Sequence, residues 1–183
     1  FDQIKTKITD EENVQNSVAI ATGDSFKIEA GEFKLYKANL QFIAKMNNVD
    51  FNFTNEEILK MMAKDRLIVQ YAKDNGISVT NQEVDSYIKQ TRNGLQSDEA
   101  PAEFKEIMKN RIRISGLTEE QFYNSPEIRQ SYERLLYGNK VAKMLSSQGR
   151  LTNPLQDYEK FKEELWNKSK DKIKINRNAL NKI

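Results

Sequence analysis

The sequence predicts a mainly α-helical fold with a small β element, in which an N-terminal β-hairpin pairs with a C-terminal strand. Three observations lead there. Capping-box quartets stand at the heads of apolar repeats with helical spacing. Short β-branched runs lie only near the two chain ends. Hydrophobic residues make up 38% and charged residues 31% of the 183, which is apolar-poor for one globule but too patterned for disorder. A multi-lobed helical protein reconciles these numbers, because it exposes more surface per residue.

The opening stretch to about residue 16 is polar, with Thr9-Asp10-Glu11-Glu12-Asn13, and reads as a flexible arm. Ser17–Thr22 and Ser25–Ile28 are short extended runs around Gly23-Asp24, the pattern of a small hairpin. Phe33, Tyr36, Leu40, Ile43 and Ala44 then recur at three and four, predicting a helix to about Met46. Thr54-Asn55-Glu56-Glu57 is a capping box for a long helix carrying Ile58, Met62, Val69 and Ala72, with Asn75-Gly76 as its stop.

Thr80-Asn81-Gln82-Glu83 is a second box, opening a helix with Val84, Tyr87 and Ile88 that fades near Asn93-Gly94. Pro101 suits the first turn of the next helix, whose apolar face is Phe104, Ile107, Met108 and Ile112. Thr118-Glu119-Glu120-Gln121 is a third box, before a short helix with Phe122 and Tyr123. Ser125-Pro126 starts a long helix with Ile128, Tyr132, Leu135, Leu136 and Ala142, in which Gly138 hints at a close helix contact or a kink. Tyr158, Phe161, Leu165 and Trp166 lie at helical spacing. Lys172-Ile173-Lys174-Ile175-Asn176 alternates and reads as a half-buried strand. A lone terminal strand needs a partner, so Ile173 and Ile175 are expected beside the hairpin at residues 18–28.

Much chemistry is excluded. Without cysteine or histidine, a thiol nucleophile, a Ser-His-Asp triad and the usual zinc sets are impossible. The net charge of +2 comes from interspersed signs, unlike the one-signed stripe of a nucleic-acid binder. Basic crowding at Lys109, Arg111 and Arg113 and from Lys168 to Lys174 reads as solvated surface. Glu56/Glu57 and Glu119/Glu120 sit in helix first turns, where carboxylates meet the positive end of the dipole. Adjacent carboxylates, Glu163/Glu164 included, diverge on a helix and do not form an acid–base pair. No phosphate loop or EF-hand spacing occurs, so no cofactor is expected. No run of about 18 apolar residues is present to span a membrane.

The run Ala72-Lys73-Asp74-Asn75-Gly76-Ile77-Ser78-Val79-Thr80-Asn81-Gln82-Glu83-Val84 resembles the SurA N-terminal-like signature. Gly116-Leu117-Thr118-Glu119-Glu120-Gln121-Phe122 resembles a second step of that family. The resemblance extends over Ser17–Asn176 and implies a SurA/PrsA-like chaperone module at 17–176. Its N-terminal lobe would be 17–53 with the C-terminal segment 155–176, and its helical lobe 54–149, followed by a tail at 177–183. In PrsA-type foldases a parvulin isomerase domain stands between the long helix and the C-terminal helix. Here that place holds only Gly149–Asp157, so the resemblance implies a non-catalytic module lacking that domain.

The function implied is an extracytoplasmic holdase for unfolded or partly folded secreted polypeptides. In a Gram-positive host it would be a lipoprotein, anchored through a cysteine upstream of Phe1. Met61, Met62, Tyr71, Tyr87, Phe104, Met108 and Tyr123 are the candidate client contacts, since flexible thioethers and aromatic rings adapt to varied partners; core packing is the ordinary role of such residues. The rival reading is a dedicated interaction or assembly module of the cell envelope that binds one folded partner. Exchange of the N-terminal arm would give a homodimer.

Overall fold

A computed structural model describes residues 12–183. The chain divides into two compact units: unit 1 is the chain up to Ala63 with Ser169–Ile183, and unit 2 is Lys64–Lys168. Of the expected N-terminal arm, residues 1–11 lie outside the described residues, and 12–16 are helical.

Unit 1 is built on a three-stranded antiparallel sheet of order β2-β1-β3. Strand β1 (Ala19–Thr22) pairs with β2 (Lys27–Glu29), Ala21 opposite Ile28, with a bulge between Ala19 and Ala21. The connecting turn brings the Phe26 ring onto Gly23: a Cβ there would lie 2.5 Å from the ring, which would have to move aside. On the other edge of β1, β3 (Lys174–Ile175) places Ile175 opposite Ala21, and the Asn176 amide donates to the Ile20 carbonyl over 2.9 Å. The two chain ends therefore meet in one sheet, as the alternation at residues 172–176 predicts. The regular pairing is shorter than that alternation, because Lys170–Lys172 form a 3₁₀ turn.

Helix α1 (Ala30–Met46) leaves β2 directly, the Ala30 amide donating to the Val18 carbonyl, and packs on β2. Ile20, Ile28 and Phe33 are fully buried. The residues after Asn176, expected to be a tail, instead fold into α8 (Arg177–Leu180), which packs on β1. The Asn176 side chain caps it, Leu180 is completely buried, and the Leu180 carbonyl accepts from Asn55 Nδ2 over 2.9 Å. Arg177 pairs with Glu56.

Helix α2 (Asn55–Asp74) carries residues of both units. Its Thr54 box forms: the Glu57 amide donates to Thr54 Oγ1, and the Thr54 amide to the Glu57 carboxylate. It ends at Gly76, where φ is +73° and only glycine is unstrained. The Ile77 amide reaches back to the Ala72 carbonyl, closing the stop.

In unit 2, α3 (Asn81–Gln96), α4 (Ala102–Ser115), α5 (Glu119–Asn124), α6 (Pro126–Ser147) and α7 (Pro154–Ser169) follow. The Thr80 and Thr118 boxes form in full, and Ser125 caps α6 with Pro126 in its first turn. Pro101 stands at the N-cap of α4, one position before the expected first turn. Two apolar clusters result. One joins Ile68 and Ala72 of α2 to Tyr137, Val141 and Leu145 of α6 and Phe161 of α7. The other joins Val84 and Ile88 of α3 to Phe122 and Tyr123 of α5 and Tyr132 of α6. Helix α7, grouped with the N-terminal lobe in the sequence reading, thus packs within unit 2. Gly138 is the close contact its position hints at: Tyr158 Oη of α7 donates to its carbonyl over 3.1 Å.

Candidate client-binding surface

The seven candidate contacts fall into distinct environments. Met62 is buried, 4% exposed, and Met61 beside it is half-buried; both belong to unit 1. In unit 2, Tyr71 packs edge-on against Phe161, with centroids 4.9 Å apart, and accepts a 3.5 Å bond from Arg150. Tyr87, Met108 and Tyr123 converge on the second cluster, where Tyr87 and Tyr123 flank Tyr132. Tyr123 is fully packed, and burial, helped by Tyr132 and Glu119, pushes its phenol up to about 12. Met62 and Tyr123 are core residues, reachable by a client only if the packing opens.

Phe104 alone of the seven is broadly exposed, at 59%. This corrects the expected packed face of α4: Met108 and Ile112 pack against the second cluster, while Phe104 faces outward. Phe104 lies one turn before Met108 on the same side of α4, so spacing alone does not separate the packed side chain from the exposed ring. Asn110 is the one buried residue of α4, and its Oδ1 accepts from Arg113 over 2.7 Å.

Sequence reasoning missed other exposed apolar side chains. In unit 1 these include Leu35 on α1 and Val49 and Phe53 in the following connector, Phe53 stacking edge-on with Phe51. Beyond Phe33, α1 buries no residue fully, although it carries Leu35, Leu40, Phe42, Ile43 and Met46. In unit 2, Leu117, Leu135 and Leu155 are exposed. The Phe51-Asn52-Phe53 triplet, standing in a polar stretch outside any periodic run, was the legible signal.

Among the described residues no group of three or more acidic side chains is arranged to hold a metal ion, and no helix is long and apolar enough to cross a membrane. The lowered carboxylates belong to helix starts, whereas Asp65 in the middle of α2 is raised, chiefly by burial. The Thr54 bonds hold Glu57 below its ordinary value, and Lys140 followed by Thr80 does the same for Glu83. Asp157 is lowered by the Asn153 amide and by Thr152.

A small sheet made from both chain ends, capped helices in a fixed order and apolar side chains left outside define the class: a helical module of the SurA N-terminal kind. The chain belongs to the SurA-like N-terminal domain family, which matches residues 9–134. It is thus a chaperone-related module. The match ends within α6, before α7 and β3. No curated protein and no solved structure matches the chain.

Proposed function

We propose that this protein is a non-catalytic holdase that binds unfolded or partly folded polypeptides outside the cytoplasmic membrane. Membership of the family carries the reading. Large apolar side chains left in water on both units support it, because such patches are what an unfolded segment can cover. Phe104 on unit 2 and Leu35, Val49 and Phe53 on unit 1 are the contacts best placed for this. The connector between α6 and α7 is residues 148–153 alone, which agrees with a module that has no isomerase domain inserted there. The same reading places the protein in the cell envelope as a lipoprotein of a Gram-positive bacterium.

The test is aggregation of a reduced, unfolding client with and without the protein. Suppression at several-fold excess is expected, and its absence overturns the proposal. A native pull-down gives a second check. A varied set of unfolded chains supports the holdase, whereas one stoichiometric folded partner replaces it with a dedicated assembly module.

A further inference from the structure

Along the outer side of α3, unit 2 carries a hollow of about 380 Å³. One wall is a single helix stripe from Asp85 to Gln96, residues that include Lys89 and Arg92; the other is formed by α5 and the start of α6, with Arg129. We propose that this groove recognises acidic segments of extended polypeptide, an inference that rests on the polypeptide-binding reading above.

The floor is Ile88 and Tyr123, only 7% and 2% exposed. It therefore offers little apolar area, and recognition falls to the polar rim. That rim carries three cations. The Arg92 guanidinium lies over the Tyr123 ring, 4.9 Å from its centroid, and one terminal nitrogen, Nη2, serves both Glu119 and Glu120 at 3.5 and 3.1 Å. Arg129 meets Asp85 through Nη1 at 2.7 Å. Each arginine is thus held in a fixed plane by its ring or carboxylate contacts while its other N–H donors stay available. Lys89 is exposed and has no partner among the described residues.

The charges decide which anion fits. Asp85, Glu119 and Glu120 offset the three cations, so the groove has no strong long-range field for a polyanion such as nucleic acid, whose binding needs uncompensated positive charge. It offers directed N–H groups at short range and, in Lys89, one ammonium without an ion-pair partner among the described residues, which suit side-chain carboxylates. Its length fits as well. Asp85 to Gln96 rises about 17 Å at about 1.5 Å per residue, the span of about five extended residues.

The test uses the full chain and two labelled unstructured peptides of equal length. One alternates Glu with apolar residues, and the other has Lys in place of each Glu. Fluorescence anisotropy should show the Glu peptide binding about tenfold tighter, and Lys89→Glu should remove most of that preference. Arg129→Gln, checked for an unchanged circular dichroism spectrum, should weaken the Glu peptide in the same direction. Equal affinity for the two peptides, or a Lys89→Glu protein that binds as before, overturns the inference. So does competition by inorganic phosphate or an RNA oligonucleotide as strong as that of unlabelled Glu peptide. If client aggregation is still suppressed while the Glu peptide is not preferred, the groove assignment alone falls. If neither peptide binds and no client is protected, the holdase reading falls with it.

Discussion

Lys140 shows how single side chains set the geometry of unit 2. From α6 its Nζ donates to the Ser78 carbonyl at 2.7 Å and to Glu83 at 2.6 Å, fastening the start of α3. Glu83 in turn holds the Thr80 amide at 2.8 Å. One cation therefore anchors a helix cap across helices, which no local pattern announces. Lys140→Met should lower the urea midpoint without changing the denaturant slope, since it removes bonds and leaves the exposed surface alone. Phe104 gives the opposite case. Phe104→Ser should leave stability within about 0.5 kcal/mol, because the ring packs on little, yet reduce suppression of client aggregation. Equal protection by this variant would remove Phe104 from the client surface. Leu180 is a third kind of residue. Fully buried in what reads as a tail, it should cost about 2–5 kcal/mol as Leu180→Ala, measured by chemical denaturation.

At the level of elements, the helices were legible because their start signals are local. A capping box satisfies amides within four residues, so Thr54, Thr80 and Thr118 could be read without knowing what the helices touch. Thr80→Ala should destabilise unit 2 by about 1 kcal/mol, and Thr80→Ser should restore most of the loss; both are readable in thermal melts. How much of a helix face is covered was less legible. The apolar spacing of α4 placed Phe104, Ile107, Met108 and Ile112 on one face. Packing covers Met108 and Ile112 and leaves Phe104, one turn earlier on that face, exposed. The same limit affected the candidate contacts: spacing put Met62 and Tyr123 on helices, and packing decided that both are core.

Across the molecule, titration of these groups should confine stability to a broad neutral plateau. The helix-start carboxylates Glu57, Glu83, Glu120 and Asp157 are all held below their ordinary values of 4.5 and 3.8. A depressed folded pKa gives stability that is present above the ordinary value and lost as pH falls through the folded one. These four groups should therefore make unfolding midpoints decline as pH falls below about 5, while Asp65, raised by burial, acts in the opposite sense and offsets part of that decline. Tyr123 and Tyr158 are pushed up to about 12, chiefly by burial. Their neutral forms favour the folded chain, so stability is present below pH 10 and lost as pH rises from about 10 to 12. With no histidine in the sequence, little change is expected between pH 6 and 8; a transition there in a midpoint-versus-pH series would contradict this account.

By itself the sequence determined what depends on short-range chemistry: helix starts and stops, the hairpin at Gly23, the strand at each end and the absence of thiol and imidazole chemistry. It also determined that those terminal strands must pair, because two or three extended residues cannot leave their backbone groups unbonded in an apolar setting. Only the tertiary structure decided the rest. It turned the last residues into a capped, buried helix, drew α7 into unit 2, left Phe104 uncovered and set Lys89, Arg92 and Arg129 along one groove. Those outcomes depend on contacts between residues far apart in the chain. Burial at such contacts is set by which surfaces meet, and a periodic pattern fixes only that a surface exists.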